Sequence, residues 1–141
     1  MIRKITFAIA TASVAFLAVP AAAQEAEEPR TTYRIEYLKL KPGSEQRWIE
    51  LGEKYYGPAT DAAGQKHPAI HWLMSGPWDI MMVFEMPRGL ATLDSHNPPE
   101  RTAWEAALNK VAGSEEAAQA LMTEVNTIET DSMVVYSHTH P

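Results

Sequence analysis

The sequence predicts an α+β domain, a four-stranded antiparallel sheet with helices on one face. Three observations carry that expectation. Segments 33–40, 70–75, 80–86 and 132–138 have strand length and strand-like apolar patterning. Segments beginning at Ser44, Asn97 and Ser114 instead repeat apolar residues at helical spacing. Their order is strand, helix, hairpin, helical region, strand, which a mostly helical domain would leave unexplained.

Tyr33–Leu40 alternates and ends at Pro42-Gly43, so it reads as the first strand. Ser44 is placed to cap a helix whose Trp48, Leu51 and Tyr55 form one apolar stripe. Gly57-Pro58 should stop or bend that helix, and 60–68 should be a loop. Ile70–Ser75 and Ile80–Met86 flank Gly76-Pro77-Trp78-Asp79 and read as a hairpin. Leu90–Ser95 suits a short helical turn.

Asn97-Pro98-Pro99-Glu100 predicts an N-cap, a proline at the first helical position and an acid able to complete a capping box. Trp104, Ala107, Leu108 and Val111 would be the buried face of that helix. From Ser114 a further helix should turn Ala117, Leu121, Val125 and Ile128 inward, and Ser132–His138 supplies the last strand. These elements fit the ferredoxin-like strand order 4-1-3-2.

Residues 1–23 read as a signal peptide. Arg3 and Lys4 precede an apolar run from Ile5 to Val19, and Ala21-Ala22-Ala23 offers a cleavage site. The run is shorter than the roughly 20 residues that span a bilayer, so no membrane anchor is expected after cleavage. With no cysteine there is nothing to acylate as a lipoprotein. Residues 24–31 are polar and read as a flexible leader, and 32–141 form the domain. Cleavage takes Lys+Arg from 12 to 10 against 18 Asp+Glu, a formal charge of -8. That acidity argues against nucleic acid and anionic membranes as partners. The periplasm is the expected location, with secretion as the alternative.

Alternation sorts the strands into two faces. Tyr33, Ile35, Tyr37, Ile70, Trp72, Met74, Ile80, Met82, Phe84, Met133 and Val135 should meet the helices. Arg34, Glu36, Leu38, Leu40, His71, Leu73, Met81, Val83, Glu85, Val134, Tyr136 and His138 should form the other face. Its aliphatic content calls for a cover, so a homodimer closing sheet to sheet around a pocket is expected. A monomer whose last helix folds over part of the sheet is the alternative.

The element order, the Tyr33–Leu40 strand and the segment Trp78-Asp-Ile-Met-Met-Val-Phe-Glu85 resemble the dimeric α+β barrel superfamily. It includes antibiotic-biosynthesis-type monooxygenases, NIPSNAP-like proteins and polyketide-cyclase-like members. The resemblance spans roughly Thr32 to His138 and implies homodimers with a cleft. It fixes no reaction, since members range from haem degradation and cofactor-free oxygenation to plain ligand binding.

His71, Glu85 and Glu36 are the first candidates for acid–base chemistry, because a histidine beside a carboxylate can relay a proton. Tyr136 and Arg34 would steady developing oxyanion charge. A plain ion pair between Arg34 and Glu36 is the structural alternative. His138 and His140 could join a metal site with His71 or Glu36, although two-residue spacing defines no geometry. His96 could act as a base, or as an axial haem ligand, as the resemblance implies for a histidine in the helical half. It could equally satisfy a capped turn. Phosphate loops, zinc-protease helices and nucleophile elbows are absent from the sequence.

Three functional expectations follow. The leading one is a periplasmic protein with a pocket for a small, partly apolar molecule, acting without a cofactor through His71 and its carboxylates. The second is a non-catalytic ligand-binding or assembly module. The third is a haem-linked oxygenase-like protein using His96.

Overall fold

A computed structural model describes residues 30–140. The expected signal peptide and nearly all of the expected leader lie outside these residues. The elements run β1 (Thr32–Leu40), α1 (Glu45–Leu51), a π-helical turn (Gly52–Tyr56), α2 (Gly57–Ala62), β2 (Ala69–Trp72), β3 (Ile80–Met86), a 3-10 turn (Gly89–Asp94), α3 (Pro99–Ala112), α4 (Glu115–Ile128) and β4 (Glu129–His138).

The sheet is antiparallel, with strand order β2-β3-β1-β4. This is the expected ferredoxin-like arrangement, with helices on one face. The expected barrel is not formed. Closure needs each strand paired on both sides, whereas among the described residues β2 pairs only with β3 and β4 only with β1. The chain therefore carries an open sheet with two edges.

Register corrects the sorting of faces. Directly opposed residues in an antiparallel pair share a face. Leu38 opposes Ile80 and Glu36 opposes Met82, and Ile70 and Trp72 in turn oppose Met82 and Ile80. The helix-facing side of β1 is thus Arg34, Glu36, Leu38 and Leu40, joined from β4 by Val134, Tyr136 and His138. Tyr33, Ile35, Tyr37, Met133 and Val135 lie on the open face with Met81, Val83 and Glu85. The faces of β3 and of Ile70 and Trp72 are as expected, those of β1 and β4 are inverted, and β2 ends at Trp72, which leaves Met74 fully exposed rather than against the helices. Both sides of β1 mix apolar with polar residues, so alternation alone could not choose. The core chose, because Leu38 and Leu40 are only 3% exposed.

Two apolar clusters support the helices. Leu38, Leu40, Leu51, Ile80 and Ile128 pack between sheet, α1 and α4. Ala59, Ala107, Leu108 and Ala118 join α2, α3 and α4, where small side chains let the helices approach. Tyr55 and Tyr56 touch both clusters.

Gly57-Pro58 does not stop the first helical segment, which runs on through a π-turn into α2. Proline cannot donate to the carbonyl four residues back, and the chain accommodates this with the π-turn, in which Gly57 N–H reaches Gly52 O. The expected capping box at Asn97 does not form. α3 starts at Pro99 after Pro98 in extended conformation, without a side-chain cap. Glu100 is instead held by Arg88, Nε to Oε1 at 2.6 Å and Nη2 to Oε2 at 3.0 Å. Ser114 caps α4 as expected, its Oγ accepting from Ala117 N–H at 3.1 Å.

Candidate functional site

The six site residues expected from sequence fall into three places. Arg34 and Glu36 form an ion pair on the helix-facing side, and Arg34 also lies 5.0 Å above the Phe84 ring. Tyr136 opposes Arg34 on the same face, at the exposed edge strand.

His71 and Glu85 lie on the open face. His71 opposes Met81, four residues along β3 from Glu85, a separation of roughly 13 Å along the strand. Glu85 is instead engaged by Lys66. Glu36 lies across the sheet from both, so one chain does not bring the expected His71–carboxylate group together.

His96 is exposed in the link between the 3-10 turn and α3. The rings of His138 and His140 stand 4.7 Å apart. Among the described residues, no group of three or more His, Cys, Asp or Glu is arranged to hold a metal ion.

The concave site lies elsewhere, between the helices and the sheet. It is a cavity of about 380 Å³ bordering both apolar clusters. Ile70, Met82 and Phe84 contribute from β2 and β3, Trp48, Gly52, Tyr56, Gly57 and Thr60 from the run of α1, π-turn and α2, Trp104 from α3, and Met122, Val125 and Asn126 from α4. His67 and Pro68 of the preceding loop and Glu129, the first residue of β4, complete it.

Each wall has a local cause. The π-turn carries Gly52 and Tyr56 onto the cavity, consistent with the frequent appearance of such turns at functional sites. A β-carbon on Gly57 would stand 3.1 Å from Gly52 O and 3.8 Å from His67 Cε1. Arg47 braces α1 against α4 through two bonds to Glu124, at 2.6 and 3.0 Å.

The polar groups of the lining are few and mostly engaged. Thr60 Oγ1 donates to Tyr56 O at 2.8 Å and accepts from Trp104 Nε1 at 3.1 Å. Tyr56 donates its hydroxyl to Leu121 O at 3.1 Å, and burial, with the charges of Glu129 and Glu124, raises that phenol to about 12. His67 Nε2 lies 2.7 Å from Asp61 Oδ1. Both lining tryptophans have spent their indole N–H, since Trp48 Nε1 donates to Glu129 Oε1 at 2.9 Å.

Glu129 differs from the other carboxylates. Burial raises its pKa, the Trp48 bond opposes that shift, and the charge of Glu36 adds to it. Among the described residues no cation is paired with it, and no Lys or Arg lines the cavity. A smaller adjoining cavity of about 220 Å³ shares Thr60, Pro68, Phe84 and Trp104 and does carry Arg34, Lys66 and Arg101.

Sequence reading took Trp48 and Trp104 for ordinary core and passed over Glu129. The available signal was a glutamate ending an apolar helical stripe, with no basic neighbour in sequence.

No protein-family model matches the chain, and no curated protein matches it in sequence. Solved structures do share its fold. A NIPSNAP family protein of unknown function from Agrobacterium tumefaciens is 13% identical, with a TM-score of 0.51, over 77% of this chain and 87% of that one. An independent structure of the same protein gives 14% identity and a TM-score of 0.50 over 75% and 90%. A second NIPSNAP family protein from that bacterium is 13% identical, with a TM-score of 0.50, over 77% and 91%. The chain thus has the ferredoxin-like fold of these NIPSNAP structures, as the sequence resemblance implied. Among the described residues, no helix is long and apolar enough to cross a membrane.

Proposed function

We propose that this chain is a non-catalytic ligand-binding module whose site is the cavity between helices and sheet. The observation that carries the reading is a space of about 380 Å³ with a largely aromatic and aliphatic lining and one weakly satisfied carboxylate. Close packing removes such spaces from ordinary cores, while small-molecule pockets are of this size and makeup. The acid–base reading has less behind it, because His71 and Glu36 lie on opposite faces and Glu85 is turned to Lys66.

Assembly belongs to the same proposal. The open face carries Ile35, Met81, Val83, Met133 and Val135 with no helix over it among the described residues, and a second copy offers a matching apolar cover. Export to the periplasm is proposed from residues 1–23 alone.

Titration with the neutral fluorophore N-phenyl-1-naphthylamine tests the binding site. Saturable emission enhancement is expected, lost in Met122→Trp, which fills the cavity, with the melting temperature retained. Equal enhancement in the filled variant would refute the assignment.

A further inference from the structure

We propose that the cavity is selective for an organic cation, a protonated or quaternary amine on an apolar body. This inference rests on the ligand-binding reading and adds the ligand's chemical class to it.

Four aromatic residues, Trp48, Tyr56, Phe84 and Trp104, line one space together with Glu129. Because both indole N–H groups already donate within the protein, the tryptophans have ring surface left to offer. The faces of such rings are negative and attract cations, more strongly once water is excluded. Phe84 already hosts one such contact, with the Arg34 guanidinium 5.0 Å from its ring centre.

The charge balance points the same way. Glu129 Oε1 accepts from Trp48, and no hydrogen bond to Oε2 occurs among the described residues. The sealed, unpartnered side-chain atom among these residues is Thr92 Oγ1, so Oε2 is not walled in. The neighbouring Arg34 is already balanced by Glu36, and His67 is already bonded to Asp61. A neutral guest would leave a partly buried carboxylate without a counter-charge, and an anionic guest would be repelled by it. A cation supplies what the site lacks, and the volume admits an aromatic or branched alkyl body beside the ammonium group.

The test is calorimetric titration of the full chain with three probes of similar size: benzyltrimethylammonium, neutral N,N-dimethylbenzamide and anionic phenylacetate. Wild type should bind the ammonium probe roughly tenfold or more tighter than the amide, with phenylacetate weakest. Glu129→Gln should cancel that preference. Amide binding as tight as ammonium binding, or an unchanged preference in Glu129→Gln, overturns the cation inference and leaves the cavity reading standing. Failure of all three probes to bind overturns both. The wild-type ranking decides the matter even if the variant does not fold.

Discussion

Trp48 donates its indole N–H to Glu129 at 2.9 Å, joining the first helix to the start of the last strand across 81 positions of sequence. The bond fixes a carboxylate at the wall of the cavity, and that carboxylate is costly to bury. Its pKa is raised, so the folded state holds the proton more tightly than the unfolded one. Stability contributed by Glu129 should therefore fall as pH rises from the unfolded value, about 4.3, through the higher folded value. Glu129→Gln, which can still accept from Trp48, should raise the melting temperature at neutral pH and leave it unchanged in acid. Differential scanning fluorimetry across pH checks this, and a neutral-pH loss would contradict it.

Asp79 shifts the other way. Its carboxylate accepts from Lys39 Nζ at 2.9 Å and from Leu40 N–H at 2.8 Å, tying the hairpin to the end of β1. The Lys39 bond first, then the Leu40 bond, hold its pKa below the usual range. Its stabilisation is complete above the unfolded value, about 3.9, and disappears as pH falls through the folded one. Asp79→Ala should lower the denaturation midpoint at pH 7, with the gap to wild type closing in strong acid. Urea titrations at both pH values measure it.

Gly57→Ala separates helix propensity from geometry. At an ordinary helical position the change stabilises by about 0.4–1 kcal/mol. Here the added carbon meets backbone oxygen at 3.1 Å, inside the π-turn that lines the cavity. The variant should be less stable than wild type and bind N-phenyl-1-naphthylamine more weakly. A gain of stability with full binding would show that the turn tolerates the carbon.

These three sites also show what the sequence made legible. Element order, the Ser114 cap and the inward stripe of α4 followed from spacing and turn chemistry. Gly57-Pro58 announced a stop or bend, although neither residue specifies that the helix continues through a π-turn. Faces were harder. Tyr33, Ile35 and Tyr37 outweigh Arg34 and Glu36 in apolar character, yet it is Leu38 and Leu40, further along β1, that meet the helices. Arg34 and Glu36 then satisfy each other nearer the strand's start. The Trp48–Glu129 contact leaves no local trace, since it exists only once α4 delivers Glu129 beside α1.

Core truncation offers a calibration. Leu51 is fully buried between α1 and the sheet, so Leu51→Ala should cost about 2–5 kcal/mol. Chemical denaturation gives the value, and a loss under about 1 kcal/mol would show that the cluster collapses around the deletion.

The open face yields a separate prediction. Val135 is 37% exposed on the side away from the helices. Wild type should sediment as a dimer, and Val135→Lys should give folded monomers that melt below the wild-type dimer. Wild-type monomers at the highest soluble concentration would contradict the proposed assembly.

The most direct test is a crystal structure of the full chain grown with N-phenyl-1-naphthylamine. Probe density is predicted between Trp48, Tyr56, Trp104 and Glu129, above Met82. A cavity filled by those side chains, with the probe absent or bound elsewhere, would contradict the account.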